Sequence, residues 1–122
     1  MESLYDRIGG QAAVFATASL LYDKMLADER VTRFFAHMDM DAQIRKQVAF
    51  LSWAFGSPDK YQFRALGEAH RELVRTHGLS NQHFDVVAEH LVASLQQLGV
   101  TPSLIDEVMV LVASTRGAVL AG

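Results

Sequence analysis

The sequence predicts an all-α fold. Three observations predict it: apolar residues recur at three- and four-residue spacings, capping and breaking residues separate these stretches, and no stretch shows the two-residue alternation of a strand. The 122 residues are enough for one domain, 1–122, with its own core. The chain has no cysteine, which excludes thiolate metal sites and cysteine nucleophiles and fits the reducing cytoplasm.

The chain is expected to begin with a short helix followed by a long one. Ser3 can cap the short helix, and Gly9 and Gly10 can end it because glycine tolerates positive φ. The long helix is predicted over 11–27. Its apolar face and the positions beside it comprise Val14, Phe15, Ala18, Leu21, Tyr22 and Met25. Tyr22 should therefore point inward.

A break and a turn separate the long helix from the next one. Residues 28–30 interrupt the apolar pattern, and a turn over 31–36 carries two adjacent phenylalanines. The next helix can be capped by Asp39 or Asp41 and runs to about Phe55. Its apolar stripe comprises Ile44, Val48, Leu51 and Phe55.

A single histidine lies on the apolar side of the segment that follows. Turn residues at 56–60 lead into this segment, and Gly78 ends it. His70 shares a helix face with Leu66, Ala69, Leu73 and Val74. Such a histidine is more commonly a core residue that donates to a backbone carbonyl, but its Nε2 can also be an axial ligand of iron.

Two further helices complete the predicted fold, giving five main helical segments and a short one. Ser80 can cap a helix over 81–98, and Thr101 with Pro102 can start a last helix that runs to about Leu120. The apolar positions of the two helices are Phe84, Val87, Leu91, Leu95, Leu98, Ile105, Val108, Val112 and Val119.

Polar residues at positions that should face the core indicate a ligand pocket. Gln43, Lys46 and Gln47 share one helix face, and Gln47 lies within the apolar stripe of that helix. On a surface helix the first two would simply be solvated. With the inward Tyr22 they can instead form a buried hydrogen-bonding patch, and with the inward His70 they outline a haem pocket.

Five short motifs occur along the chain in an order and spacing that are specific as a set. They are Leu4-Tyr5-Asp6-Arg7-Ile8-Gly9-Gly10, Phe34-Phe35-Ala36, Asp39-Met40, Ala49-Phe50-Leu51 and Ala69-His70. Together they resemble the group I truncated haemoglobins over nearly the whole chain. The resemblance implies a shortened globin with a two-over-two helical sandwich and haem b as the cofactor.

The resemblance also implies roles for individual residues. His70 matches the proximal iron ligand, and Tyr22, Gln43 and Gln47 match residues that contact a bound gas. The implied haem contacts are His70, Phe35, Gln43, Lys46, Gln47, Phe50, Tyr61, Arg64, Leu66 and Phe84. Gly117 stands where some members carry a histidine bonded to a haem vinyl group, so the haem is expected to be non-covalent.

The implied function is binding of O₂, NO and CO. A Tyr22 hydroxyl with a glutamine partner would donate to the partial negative charge that O₂ acquires at haem iron and CO largely lacks. Slow release of O₂ would suit a scavenger, a sensor or a nitric oxide dioxygenase better than a carrier. A dioxygenase would also need a reductase. Lys46 would reach a haem propionate or solvent, or would act as a sixth iron ligand.

Other classes of protein are less well supported by the sequence. A cofactor-free helical interaction domain is the main competitor, whereas no Ser-His-Asp order, phosphate loop or carboxylate pair indicates a hydrolase or lyase. The formal charge of −3 argues against nucleic acid, and no apolar run predicts a membrane span. A cytoplasmic monomer is expected.

Four histidines match no ligand position in the family. His37, His77, His83 and His90 are expected to be surface or structural residues. His83 and His90 lie seven residues apart on one helix face, so a transition-metal site between them is a remote alternative.

Overall fold

The computed structural model describes residues 4–35, 38–55 and 78–117, and this part of the chain contains helices and no strand. The elements are α1 (Leu4–Ile8), α2 (Gly10–Leu26), a 3-10 helix (Thr32–Phe35), α3 (Met40–Ala54), α4 (Asn81–Gln97) and α5 (Pro102–Ala113). None of these helices is long and apolar enough to cross a membrane. The all-α prediction is confirmed.

The four longer helices form two packed pairs. Helix α2 packs against α3, and α4 packs against α5. The contacts of α2 with α4 and of α3 with α5 stack one pair on the other, which gives the predicted two-over-two sandwich. The shared core comprises Val14, Ala18, Leu21, Tyr22, Met25, Val31, Phe34, Phe50, Leu51, Ala54, Phe55, Val86, Leu91, Leu95, Ile105, Val108 and Val112.

The turn between α1 and α2 depends on two glycines, as predicted. Gly9 has φ 129° and Gly10 has φ 67°, in a region that side chains disfavour. A Cβ atom at Gly9 would also lie 3.0 Å from the Cβ of Ala13. The helices can therefore follow each other with no linker. The predicted cap at Ser3 lies outside the described residues.

Helix α2 buries a face that differs from the predicted one at one position. The buried residues are Val14, Thr17, Ala18, Leu21, Tyr22 and Met25. Phe15 was expected on this face, but it is 58% exposed. It lies about a quarter turn from the centre of the face. Thr17 takes a core position instead because its hydroxyl donates to the carbonyl of Ala13 at 2.7 Å.

Helix α3 is capped by Asp39, one of the two predicted candidates. The Oδ1 atom of Asp39 accepts hydrogen bonds from the backbone N–H groups of Asp41 (3.0 Å) and Ala42 (3.3 Å). The predicted apolar stripe is confirmed. Leu51 and Phe55 are fully buried, and the remaining two residues of the stripe, Ile44 and Val48, pack partly buried against the core.

The last helix is interrupted before its predicted end near Leu120, and helical backbone follows again at 116–117. Regular α5 ends at Ala113, because the hydroxyls of Ser114 and Thr115 each donate to the carbonyl three residues earlier, at 2.7 Å for Thr115. Such side-chain bonds compete with the helical backbone pattern. At the other end Thr101 occupies the capping position and Pro102 the first helical position, but the Thr101 side chain makes no capping hydrogen bond. Residues 118–122 lie outside the described part.

The predicted break after α2 is a charged cluster, here called the Asp28 corner and made of Asp28, Arg30 and His90. The Asp28 carboxylate accepts from the Arg30 backbone N–H (2.9 Å), from the Arg30 guanidinium (2.7 Å) and from Nε2 of His90 (2.7 Å). Hydrogen bonds from Arg30 and then from His90 hold the pKa of this carboxyl well below its usual range. The corner ties the end of α2 to α4.

Candidate functional site

Tyr22 is the buried polar residue that the sequence placed at the site. It lies on the core face of α2 and is 7% exposed, with its ring edge-on to Phe35 at 5.6 Å between centroids. Burial raises the pKa of the phenol to about 12. The hydroxyl therefore keeps its proton at ordinary pH and remains a hydrogen-bond donor.

The Tyr22 hydroxyl has no hydrogen-bond partner among the described residues. No residue in the described part of the chain hydrogen-bonds to it. In the same part of the chain, no fully buried side-chain nitrogen or oxygen lacks a partner. The Tyr22 hydroxyl therefore keeps a donor hydrogen that no other described residue accepts.

Helix α3 carries three polar residues at three- and four-residue steps, on the same helix face as the buried Phe50 and Ala54. Gln43 and Gln47 are half-buried, and Lys46 is exposed. Neither amide side chain makes a hydrogen bond within the described residues. The two amides therefore keep donors that no described residue uses, whereas Lys46 is exposed.

Three of the predicted haem contacts are phenylalanine side chains in the described part of the chain. Phe35 contacts Tyr22, and Phe50 is buried on α3 with its ring 5.9 Å from that of Trp53. Phe84, near the start of α4, is half-buried beneath the guanidinium of Arg116 at 4.4 Å. The described contacts bring Tyr22 and Phe35 together, and they give Phe84 a separate environment.

The proximal side of the predicted site is not described. His70, Tyr61, Arg64 and Leu66 all lie between residues 56 and 77, outside the described residues, and so do His37 and His77. Their assigned roles remain predictions from the sequence.

The remote metal-site alternative at His83 and His90 is wrong. His90 bonds Asp28, whereas His83 bonds the backbone N–H of Ser80 at 3.0 Å, so the two imidazoles are engaged by different partners. Within residues 4–35, 38–55 and 78–117, no group of three His, Asp or Glu side chains can hold a metal ion. Both histidines form hydrogen bonds within the protein, in line with the expectation that they are surface or structural residues.

The contact between His90 and the other two residues of the Asp28 corner was not predicted from the sequence. The Asp28-Glu29-Arg30 order indicates a turn that can fold a guanidinium onto a carboxylate, but His90 is 62 positions away and has no local signal. A shallow surface depression beside the corner is lined by Lys24, Ala27, Glu29 and Ala93. It is open to solvent and its lining does not include Tyr22, so Tyr22 remains the candidate site.

Comparisons with known proteins agree with this arrangement. The chain matches the family described as bacterial-like globin over residues 3–121. It is 48% identical to group 1 truncated hemoglobin GlbN of Synechocystis, covering 88% of this chain and 87% of that one. It is 40% identical to a group 1 truncated hemoglobin of Tetrahymena pyriformis, covering 94% and 92%. A crystal structure of the 2/2 hemoglobin of a Synechococcus species, in the cyanomet state with covalently attached heme, superimposes with a TM-score of 0.92 at 45% identity, covering 99% of this chain and 100% of that one.

Proposed function

Because this chain belongs to the bacterial-like globins, and among them to the group 1 truncated haemoglobins, we propose that it binds O₂ and other diatomic gases reversibly at a non-covalent haem b. His70 is the proposed iron ligand. The observation that carries the proposal is the buried Tyr22 hydroxyl, which is protonated and has no hydrogen-bond partner among the described residues. The proposal covers the whole of 1–122 as one domain.

The described residues fit one side of a haem. Phe35 and Phe50 offer aromatic surface, and Tyr22 with the half-buried Gln43 and Gln47 offers donors that bond to no other described residue. An apolar slot with a few convergent donors is what a flat, mostly apolar cofactor and a small polar ligand require. The other proposed haem contacts are His70, Lys46, Tyr61, Arg64, Leu66 and Phe84.

The haem supplies the iron at which a gas coordinates, and the protein discriminates between gases. The Tyr22 hydroxyl donates to the partly negative oxygen atoms of O₂, and the low polarity of its buried position strengthens that bond. Gln43 or Gln47 can donate to the same ligand or to the Tyr22 oxygen, which would orient the hydroxyl. CO carries little charge and gains little, so these residues retain O₂ selectively.

Slow release of O₂ favours scavenging or sensing over delivery. Conversion of NO to nitrate is a further candidate role, but it requires an electron donor, and no described contact indicates one. We propose a cytoplasmic monomer whose partners are O₂, NO and CO.

Visible spectra of the ferric, ferrous and ferrous-CO states test the proposal. Protein reconstituted with haem should show a Soret band that shifts on reduction and again on addition of CO. A chain that acquires no Soret band would instead be a cofactor-free helical domain, and the proposal would fail.

Acidified butanone should extract the haem completely. Gly117 is exposed and carries no side chain that could bond to a haem vinyl group. Extraction followed by denaturing chromatography measures the haem left on the polypeptide. The Synechococcus 2/2 hemoglobin with covalently attached heme is the positive control. Haem that migrates with this polypeptide would contradict non-covalent binding.

Replacing Lys46 by alanine should leave the ferrous spectrum unchanged. Lys46 is exposed, so its ammonium is expected at a haem propionate or in solvent, where it keeps its charge. The unliganded ferrous protein should be five-coordinate at neutral and alkaline pH in both forms. Arg45→Ala, which removes the neighbouring exposed cation, is the matched control. A six-coordinate ferrous spectrum that becomes five-coordinate only in Lys46→Ala would instead make neutral Lys46 the sixth ligand.

A further inference from the structure

His83 has a defined hydrogen-bonding pattern at the start of α4. Its Nδ1 atom accepts a hydrogen bond from the backbone N–H of Ser80 at 3.0 Å. A backbone N–H can only donate, so Nδ1 must be the acceptor nitrogen of the ring. We assign the hydrogen of the neutral imidazole to Nε2 on this basis. Nε2 is therefore a donor that faces away from the helix start.

A second hydrogen-bond donor lies close to Nε2 of His83. A terminal nitrogen of Arg33, on the 3-10 helix, lies 3.5 Å from Nε2 of His83. Both atoms carry hydrogen, so the pair is not hydrogen-bonded despite the short distance. Arg33 forms no ion pair with any residue in the described part of the chain. Two N–H donors, one of them charged, thus come together from different elements, and no described residue provides an acceptor to both.

The ring of Phe34 contacts both donor side chains. The Arg33 guanidinium lies over this ring at 4.6 Å, and the His83 imidazole meets it edge-on at 5.0 Å between centroids. Phe34 itself is buried in the core. Because one fixed ring supports both side chains, little conformational freedom is lost when a ligand binds between them.

We propose that Arg33 and His83 form a binding site for a small oxoanion, a phosphate or a carboxylate, which accepts a hydrogen bond from each. An oxoanion offers two acceptor oxygens and a negative charge, which matches a guanidinium beside a neutral N–H donor. Since Arg33 belongs to the 3-10 helix and His83 to α4, the bound anion ties these elements together. Oxoanions should therefore stabilise the folded chain by mass action.

Thermal unfolding of the haem-loaded protein tests the site. Inorganic phosphate, and acetate in a parallel series, would replace chloride at constant ionic strength. The unfolding midpoint should rise by several degrees at anion concentrations well above the dissociation constant, which for two such bonds is on the order of 1 mM. The anion with the larger shift identifies the preferred chemistry.

Two variants separate this site from a general effect of salt. Arg33→Gln should weaken phosphate binding about tenfold. His83→Glu keeps an N3 acceptor for the Ser80 N–H, as in a Ser-x-x-Glu capping box, but places a carboxylate beside Arg33 and should abolish the anion-dependent shift. Arg45→Gln, the matched charge control, should respond like the wild type.

Two results would overturn the proposal. One is a wild-type midpoint that does not respond to either anion. The other is an equal shift in the wild type, Arg33→Gln, His83→Glu and Arg45→Gln, which would reflect only general exclusion of the salt from the protein surface.

Discussion

Replacement of His70 by alanine should lower haem affinity by more than about 100-fold. Loss of a residue that merely orients a metal ligand costs roughly 10- to 100-fold, and His70 is the only iron ligand that we propose from the protein. The visible spectrum and the rate of haem transfer to an acceptor globin measure the loss. Added imidazole should restore the spectrum, because it fills the space left by the side chain with the same ligand atom.

His77→Ala is the matched control for this experiment. It removes an imidazole from the same segment, at a position that matches no ligand in the family, and should leave the haem spectrum unchanged. If His70→Ala kept the spectra and haem affinity of the wild type, His70 would not be the axial ligand.

Replacement of Tyr22 by phenylalanine should accelerate O₂ release about 10- to 100-fold. The change removes one hydrogen bond to a partly charged ligand, worth on the order of 1.5–3 kcal/mol, and 1.4 kcal/mol corresponds to about a factor of ten. CO release should change much less. Flash photolysis and ligand-replacement kinetics measure both rates. Equal acceleration for both gases would show that Tyr22 acts through its size.

Tyr5→Phe removes a hydroxyl from half-buried Tyr5 on α1 and should leave both rates unchanged. The pH dependence is a second check. Because the pKa of Tyr22 is raised to about 12, the donor is retained until pH approaches that value. The effect of Tyr22→Phe should therefore be constant from neutral pH to about pH 11.

Local chemistry explains why much of the fold was predictable. Asp39 caps α3 through its own side chain, and the Gly9-Gly10 turn needs backbone angles that few other residues adopt. Both signals are contained in a few consecutive residues. The one clear error on α2, Phe15, arose because an apolar residue at the edge of a face is buried only if a neighbouring helix reaches it. That depends on packing, which periodicity does not encode.

The candidate site also has one part that could be predicted from the sequence and another that depends on packing. An inward Tyr22 could be predicted from the spacing of α2. Its contact with Phe35, and the lack of a hydrogen-bond partner for its hydroxyl among the described residues, depend on how separate elements pack together. The facing donors of Arg33 and His83 are 50 positions apart. Only the three-dimensional arrangement shows that the bond from Ser80 to Nδ1 leaves Nε2 as a donor.

The Asp28 corner has a consequence for the behaviour of the protein in acid. A carboxyl whose pKa is lowered on folding stabilises the fold above its ordinary pKa, and this stabilisation is lost only as the pH falls through the lowered value. At a pH that protonates ordinary surface carboxylates, the Asp28 carboxylate therefore stays ionised and still links the end of α2 to α4.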